Sequence, residues 1–162
     1  MTYRSMVTEG GRVLAAAGVP EAELDAWYLL EYAIQKIEKK ETGRTWYLMN
    51  RKESILPGTL LYYQELVSRR KQRIPLQHLT GEQEFYGYPF YVNEHVLIPR
   101  QDTEVLVEEA LKRKKEGMKV LDLCTGSGCI LLSILKNLKQ GTGVGIDISE
   151  QALEVARRNA KR

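Results

Sequence analysis

The sequence predicts an α/β protein: a helical bundle, then a β-hairpin linker, then the opening βαβα of a parallel sheet. Three observations carry this. Residues 120–130 pass from an apolar run through a turn with glycines at 126 and 128 into an apolar helix. A second apolar run, 143–148, follows the helix and, like the first, meets an acid near its end: Asp122 in one, Asp147 in the other. Before residue 74, by contrast, apolar residues recur at the 3.6-residue helical period rather than in short runs.

Taken in order, residues 2–17 read as a helix with Val7, Leu14 and Ala17 on its apolar side. Gly10 and Gly11 weaken its middle by about 1 kcal/mol each relative to alanine, and Gly18 ends it. From 21 to 39 the period is strong, with Ala22, Ala26, Leu29, Leu30, Ala33 and Ile37 in phase. Residues 41–43 break the pattern, and 44–50 suit one helical turn carrying Trp46, Tyr47 and Met49. Pro57 opens another helix with Leu60, Tyr63, Leu66 and Val67 inward. It closes in the basic run 69–73, whose cations complement a solvated helix C-terminus; contact with a nucleic-acid backbone is the alternative reading. These helices make a first domain over 1–73.

From Ile74 the character changes, and 74–101 read as a linker punctuated by Pro75, Gly81, Gly87, Pro89 and Pro99. Residues 84–86 and 90–92 suit two strands joined through 87–89, a hairpin. His78 and His95 have no acid or cysteine companions and read as structural. A helix begins near Asp102 or Thr103, either of which suits an N-cap, with Leu106, Val107, Ala110 and Leu111 on its apolar side. The third domain spans 102–162. In it Lys119–Leu123 reads as a buried strand, 129–138 as a helix, 143–148 as a second strand, and Ser149 as the cap of a last helix burying Ala152, Val155 and Ala156. Strand, loop, helix, strand is the right-handed unit of a parallel sheet.

Such a unit holds a nucleoside at its strand ends. A dinucleotide site wants a third glycine where this chain has Leu131. An S-adenosylmethionine site wants an acid at the end of the first strand followed by glycines at the spacing of Asp122, Gly126 and Gly128. The glycines would let backbone approach the ligand where a Cβ would collide. The N–H groups at the start of the following helix face outward for a carboxylate. Asp147, ending the second strand, suits both ribose hydroxyls. Adenosylmethionine is therefore the favoured cofactor, with a dinucleotide and a purely structural turn as alternatives.

Composition narrows the class. Hydrophobic residues make up 43% and charged residues 28%, ordinary for a soluble globular protein. A net charge of +3 is too small to argue for nucleic acid by itself. Cys124 and Cys129 lack the spacing of a metal or redox pair, so no metal site or disulfide is expected. The first residues carry no apolar core of a signal peptide. No run reaches the roughly 20 apolar residues of a membrane span. A cytoplasmic protein without membrane contact is expected.

Several separated stretches carry a resemblance. Pro75-Leu76-Gln77-His78-Leu79-Thr80-Gly81, the aromatic hairpin Glu84-Phe85-Tyr86-Gly87, and Leu97-Ile98-Pro99-Arg100-Gln101-Asp102-Thr103-Glu104 each match, as do the Asp122–Gly128 turn and Asp147-Ile148-Ser149. In this order the chain resembles the N-terminal portion of the HemK/PrmC enzymes, the peptide-chain-release-factor glutamine methyltransferases. The resemblance implies a helical domain for substrate recognition, a hairpin linker and the first βαβα part of a Rossmann-like S-adenosylmethionine methyltransferase domain. It implies methylation of the side-chain amide of the glutamine in the G-G-Q motif of release factors, with a release factor as protein partner and no direct contact to nucleic acid. Cys124, Thr125, Gly126, Ser127, Gly128 and Asp147 match the cofactor-binding positions, Cys124 standing where many members have glycine. Arg100 and Glu104 match the linker motif and are expected to brace the floor of the cofactor pocket. The family's catalytic Asn-Pro-Pro-Tyr motif has no counterpart here, since no Asn-Pro pair occurs. The expectation is a truncated methyltransferase without catalytic residues or transfer activity of its own, with an open sheet edge that favours oligomerisation. A non-catalytic protein-binding module, and a methyltransferase acting on nucleic acid or another protein, are the alternatives.

Overall fold

A capping box at Thr2 starts the first helix in a computed structural model that describes residues 1–115 and 117–162. The Thr2 hydroxyl oxygen accepts the Ser5 N–H at 3.2 Å, and Ser5 Oγ accepts the Thr2 N–H at 2.9 Å, so two donors that the helix itself leaves unpaired are satisfied. This helix, α1 (Tyr3–Ala16), belongs to the first of two units, Met1–Thr80 and Gly81–Arg162. Gly18 ends it at φ +73°, donating to the Ala15 carbonyl at 2.9 Å while Val19 donates to that of Leu14 at 3.0 Å. That is a Schellman termination, with Val19 and Leu14 both buried.

In the first unit α1, α2 (Ala22–Glu38) and α4 (Pro57–Lys71) pack on one another, with α3 (Arg44–Asn50) between α2 and α4 in the chain. α3 makes about two turns rather than one. The glycine pair in α1 has a packing reason. A Cβ on Gly10 would lie 2.0 Å from Tyr63 Oη, and one on Gly11 would lie 3.3 Å from the Glu23 Cα. With no side chain in the way, the Tyr63 hydroxyl donates to the Met6 carbonyl at 3.1 Å in the buried interior.

The basic run closing α4 departs from the expectation of a solvated end. Arg69 and Lys71 are exposed, but Arg70 Nε donates to Asp25 Oδ2 at 2.7 Å with both side chains largely buried, and its Nη1 donates to the Ile74 carbonyl at 3.1 Å. Arg73 donates to the Gly18 carbonyl. Two of the run's cations are therefore struts between elements, because α2 and the end of α1 present an acid and a free carbonyl there. Leu76–Thr80 forms a further short helix, α5, that the proline- and glycine-punctuated pattern did not suggest.

The second unit opens on a hairpin, β1 (Glu82–Phe85) and β2 (Tyr88–Tyr91), antiparallel with Phe85 opposite Tyr88. The expected loop over 87–89 is corrected: Tyr86 at φ +54° and Gly87 at φ +75° form a two-residue turn, and Pro89 lies inside β2. Two positive φ values in succession match the right-handed twist of the strands, so the shorter loop wins. Phe85 and Phe90 meet edge to face at 6.2 Å and pack with Val107, Cys129 and Ile134.

Gln101–Thr103 make a 3-10 turn that runs directly into α6 (Glu104–Lys112). Neither Asp102 nor Thr103 caps α6 with its side chain; Thr103 already has helical backbone angles, φ −75° and ψ −15°, and so lacks the extended geometry a cap needs. β3 (Lys119–Leu123) and β4 (Thr142–Ile146) pair in parallel, Leu123 opposite Ile146. Helix α7 (Cys129–Lys136) covers one face so closely that a Cβ on Gly143 would lie 2.5 Å from Leu131 Cδ1. The opposite face is bare, which corrects the reading of β3 as buried: Leu121 and Leu123 are 63% and 62% exposed. Among the described residues the two strands pair only with each other, and one helical layer covers only one side. α8 (Glu150–Ala160) begins at Ser149, whose Oγ accepts the Ala152 N–H at 3.2 Å as expected.

Candidate cofactor site

Between β3 and α7 the chain reverses through three residues in the left-handed region within five positions: Cys124 at φ +60°, Gly126 at +54° and Gly128 at +80°. Thr125 anchors the turn from inside. Its N–H donates to the Ile146 carbonyl at the end of β4 at 2.9 Å, and its hydroxyl donates to Asp122 Oδ2 at 2.7 Å. A Cβ on Gly145 would lie 2.9 Å from Thr125 Oγ1, so the glycine in β4 makes room for that anchor. The Gly128 N–H closes back on the Thr125 carbonyl at 2.8 Å.

Asp147 holds the turn from the second strand. Its Oδ2 accepts the Gly126 N–H at 2.9 Å and its Oδ1 accepts the Ser149 N–H at 3.0 Å. These backbone donors, Ser149 first, hold its carboxyl below the usual carboxylate range. A carboxylate offers about four lone-pair sites, so an oxygen lone pair remains on each side for a ligand hydroxyl. Asp122 and Asp147 thus stand at adjacent strand ends with different partners: the first accepts the Thr125 hydroxyl, the second is oriented by two backbone amides, and both keep acceptor capacity.

The two motif glycines also differ. A Cβ on Gly128 would meet Leu132 at 3.1 Å and Ala156 at 3.3 Å, so that position is small for the sake of helix packing. A Cβ on Gly126 would meet nothing within 4 Å. Gly126 stands in the left-handed region that glycine favours, with open space where a side chain would begin. This fits a cofactor whose backbone contacts are made over Gly126 and whose hydroxyls reach Asp147. Ser127 is buried within the turn, and Cys124 is an exposed free thiol; Cys129, also free, is buried, and burial pushes its thiol pKa up.

The two linker residues have different surroundings. Glu104 Oε1 accepts the Tyr86 N–H at 2.9 Å, fastening the hairpin turn to the start of α6. Arg100 is exposed, at the residue preceding the 3-10 turn.

One residue around the turn escaped the sequence reading. Asn159 in α8 is 7% exposed. Its Oδ1 accepts the Tyr91 N–H at 2.7 Å, and its Nδ2 donates to the Tyr91 and Ser127 carbonyls, each at 2.9 Å. Its signal was there to be read: 152, 155 and 159 share one helix face, and a polar residue in line with Ala152 and Val155 needs buried partners.

Among the described residues no group of three or more His, Cys, Asp or Glu could hold a metal ion, and no helix is long and apolar enough to cross a membrane.

Comparison with known proteins bears on both units. Residues 5–81 match the PrmC N-terminal domain and 114–162 match a methyltransferase domain. A protein of Geobacter sulfurreducens named release factor glutamine methyltransferase is 42% identical over 161 residues, which is 99% of this chain and 55% of that protein. Proteins of the same name from Moorella thermoacetica and Deinococcus radiodurans are 39% and 36% identical, over 100% and 99% of this chain and 56% of each relative. The chain spans about half the length of the curated relatives it matches.

Proposed function

Because the chain belongs to the release factor glutamine methyltransferase family, we propose that its second unit binds S-adenosylmethionine, within a protein that methylates the G-G-Q glutamine of a release factor, and that its helical unit contributes to docking that substrate. The cofactor, when bound, supplies an electrophilic methyl group on a sulfonium. Cys124, Thr125, Gly126, Ser127 and Gly128 offer it backbone, with Gly126 leaving the approach open, and Asp147 accepts the ribose hydroxyls with the lone pairs its two amide donors leave. Asp122 braces the turn through the Thr125 hydroxyl.

Holding the donor is half of the chemistry. An amide nitrogen is a poor nucleophile because its lone pair is delocalised, so it must be positioned in line with the methyl group. The family does this with an Asn-Pro-Pro-Tyr motif, and residues 1–162 contain no Asn-Pro pair. The role proposed for this stretch is therefore cofactor capture and substrate docking.

The observation that supports this most is Gly126: left-handed backbone, open space where a Cβ would stand, and an N–H oriented by Asp147. Calorimetric titration with S-adenosylmethionine tests it. The chain is expected to bind, Asp147→Ala to lose the heat of binding, and NADH to give none. Binding unaffected by Asp147→Ala would overturn the site, and NADH in place of adenosylmethionine would overturn the cofactor.

A further inference from the structure

We propose that Asn159 is a positioning residue for the cofactor turn, latching it to the hairpin; this rests on the cofactor reading above and adds a residue to it. The side chain uses every polar group it has: one acceptor and two donor hydrogens, spent on the Tyr91 N–H, the Tyr91 carbonyl and the Ser127 carbonyl. Tyr91 lies in β2 and Ser127 in the glycine turn, so a single amide from a third element joins the two.

Its effect on the turn follows from which peptide it grips. The Ser127 carbonyl and the Gly128 N–H belong to one peptide plane. Asn159 holds the carbonyl end, and the Thr125 carbonyl holds the N–H end at 2.8 Å. The Thr125–Gly126 peptide is held in turn by Asp147 through the Gly126 N–H. With both planes pinned, the Gly126–Ser127 peptide between them is presented in one orientation. Without Asn159, the 127–128 plane keeps only its N–H anchor on the Thr125 carbonyl and gains freedom to turn through Ser127 ψ and Gly128 φ, because glycine tolerates both signs of φ. Asp147 just before α8 and Asn159 near its end thus grip the turn at two peptides with one between them, and the same asparagine makes its conformation depend on β2.

Hydrogen exchange of the cofactor-free chain, read amide by amide, is the first test. Asn159→Asp keeps the shape and the acceptor for Tyr91 but has no donor hydrogens; Asn159→Ser repeats the test without burying a charge. In both, exchange at Gly126 and Gly128 is expected to rise by about tenfold, the equivalent of one buried hydrogen bond of about 1.4 kcal/mol. The control is Arg158→Ala. Arg158 lies over the Tyr91 ring at 3.5 Å, so its loss loosens the hairpin contact without touching Ser127, and the turn amides should not change. Unchanged exchange at Gly126 and Gly128 in the Asn159 variants overturns the latch, as does an equal rise in Arg158→Ala. Titration with S-adenosylmethionine completes it. Affinity about tenfold weaker in Asn159→Ser supports the positioning role, and equal affinity overturns it. A wild-type chain that fails to bind, with the exchange effect present, sinks the cofactor reading and leaves the latch supported.

Discussion

Leu14, Leu29, Leu30, Ile34 and Leu66 in the helical unit are wholly buried, whereas Leu121, Leu123 and Val144 in the second unit are more than half exposed. The residue types are alike; the architecture around them is not. Three mutually packed helices bury a stripe each in a core of their own. A parallel strand has two apolar faces and needs a layer on both. α7 supplies one, and the strand pair shows the other to solvent. The difference teaches that closure of the core and closure of the site are separate matters. Thr125, Ser127 and Asn159 are buried and hydrogen-bonded although the sheet beneath them is open on one side.

The largest test of that contrast is a matched pair of truncations. Leu30→Ala removes a side chain with no exposure and is expected to cost about 2–5 kcal/mol. Leu121→Ala removes one that is 63% exposed and should stay within about 1 kcal/mol. Trp27 and Trp46, the chain's two tryptophans, both lie in the helical unit, so denaturation followed by their fluorescence isolates the first effect, while amide exchange within the second unit reads the second. A large loss for Leu121→Ala would mean that the bare face is covered in solution.

A smaller effect is expected at the α1–α4 contact. Gly10→Ala gains about 1 kcal/mol of helix propensity but must displace the Tyr63 ring, whose hydroxyl would stand 2.0 Å from the new methyl. Overpacking costs about 1–3 kcal/mol, so a net loss of about 0–2 kcal/mol is expected. In a Tyr63→Phe background, which removes the clashing oxygen, Gly10→Ala should cost less. Thermal melts of the four proteins in this cycle check it, and equal costs in both backgrounds would refute the close approach.

What the sequence made legible follows the same divide. Regular periods gave the helices of the first unit and the strand–turn–helix of the second close to their observed bounds, because both rest on local spacing. The buried role of Arg70 was hidden because a basic run at a helix end has a sufficient local explanation in the dipole. Only the distant Asp25 shows otherwise. The hairpin loop was misplaced because Tyr86 is a poor advertisement for a left-handed residue; the turn is held by Glu104, eighteen positions on. In the site, the residues matching the motif are brought together at adjacent strand ends, while Asn159 was overlooked because its partners are backbone groups in two other elements, which no motif spells out.

The smallest expected effect separates the turn from everything around it by pH. The carboxyl of Asp147 sits below its ordinary value because the Ser149 and Gly126 amides donate to it. A depressed carboxyl contributes stability that is complete above the unfolded value, about 3.9, and is lost as pH falls through the lower folded value. Acidification should therefore release the Gly126 amide, measured as loss of its exchange protection relative to the intrinsic rate, below about pH 4. Glu9 and Glu109 are also depressed, by exposed cationic partners on helix surfaces, so a global melt would mix their acid limbs with that of Asp147. The single amide does not. In Asp147→Asn, which keeps one acceptor and cannot ionise, Gly126 should start less protected and show no further acid-dependent loss. If the variant kept the wild-type acid limb at Gly126, the Asp147 carboxylate would not be the group that holds the turn.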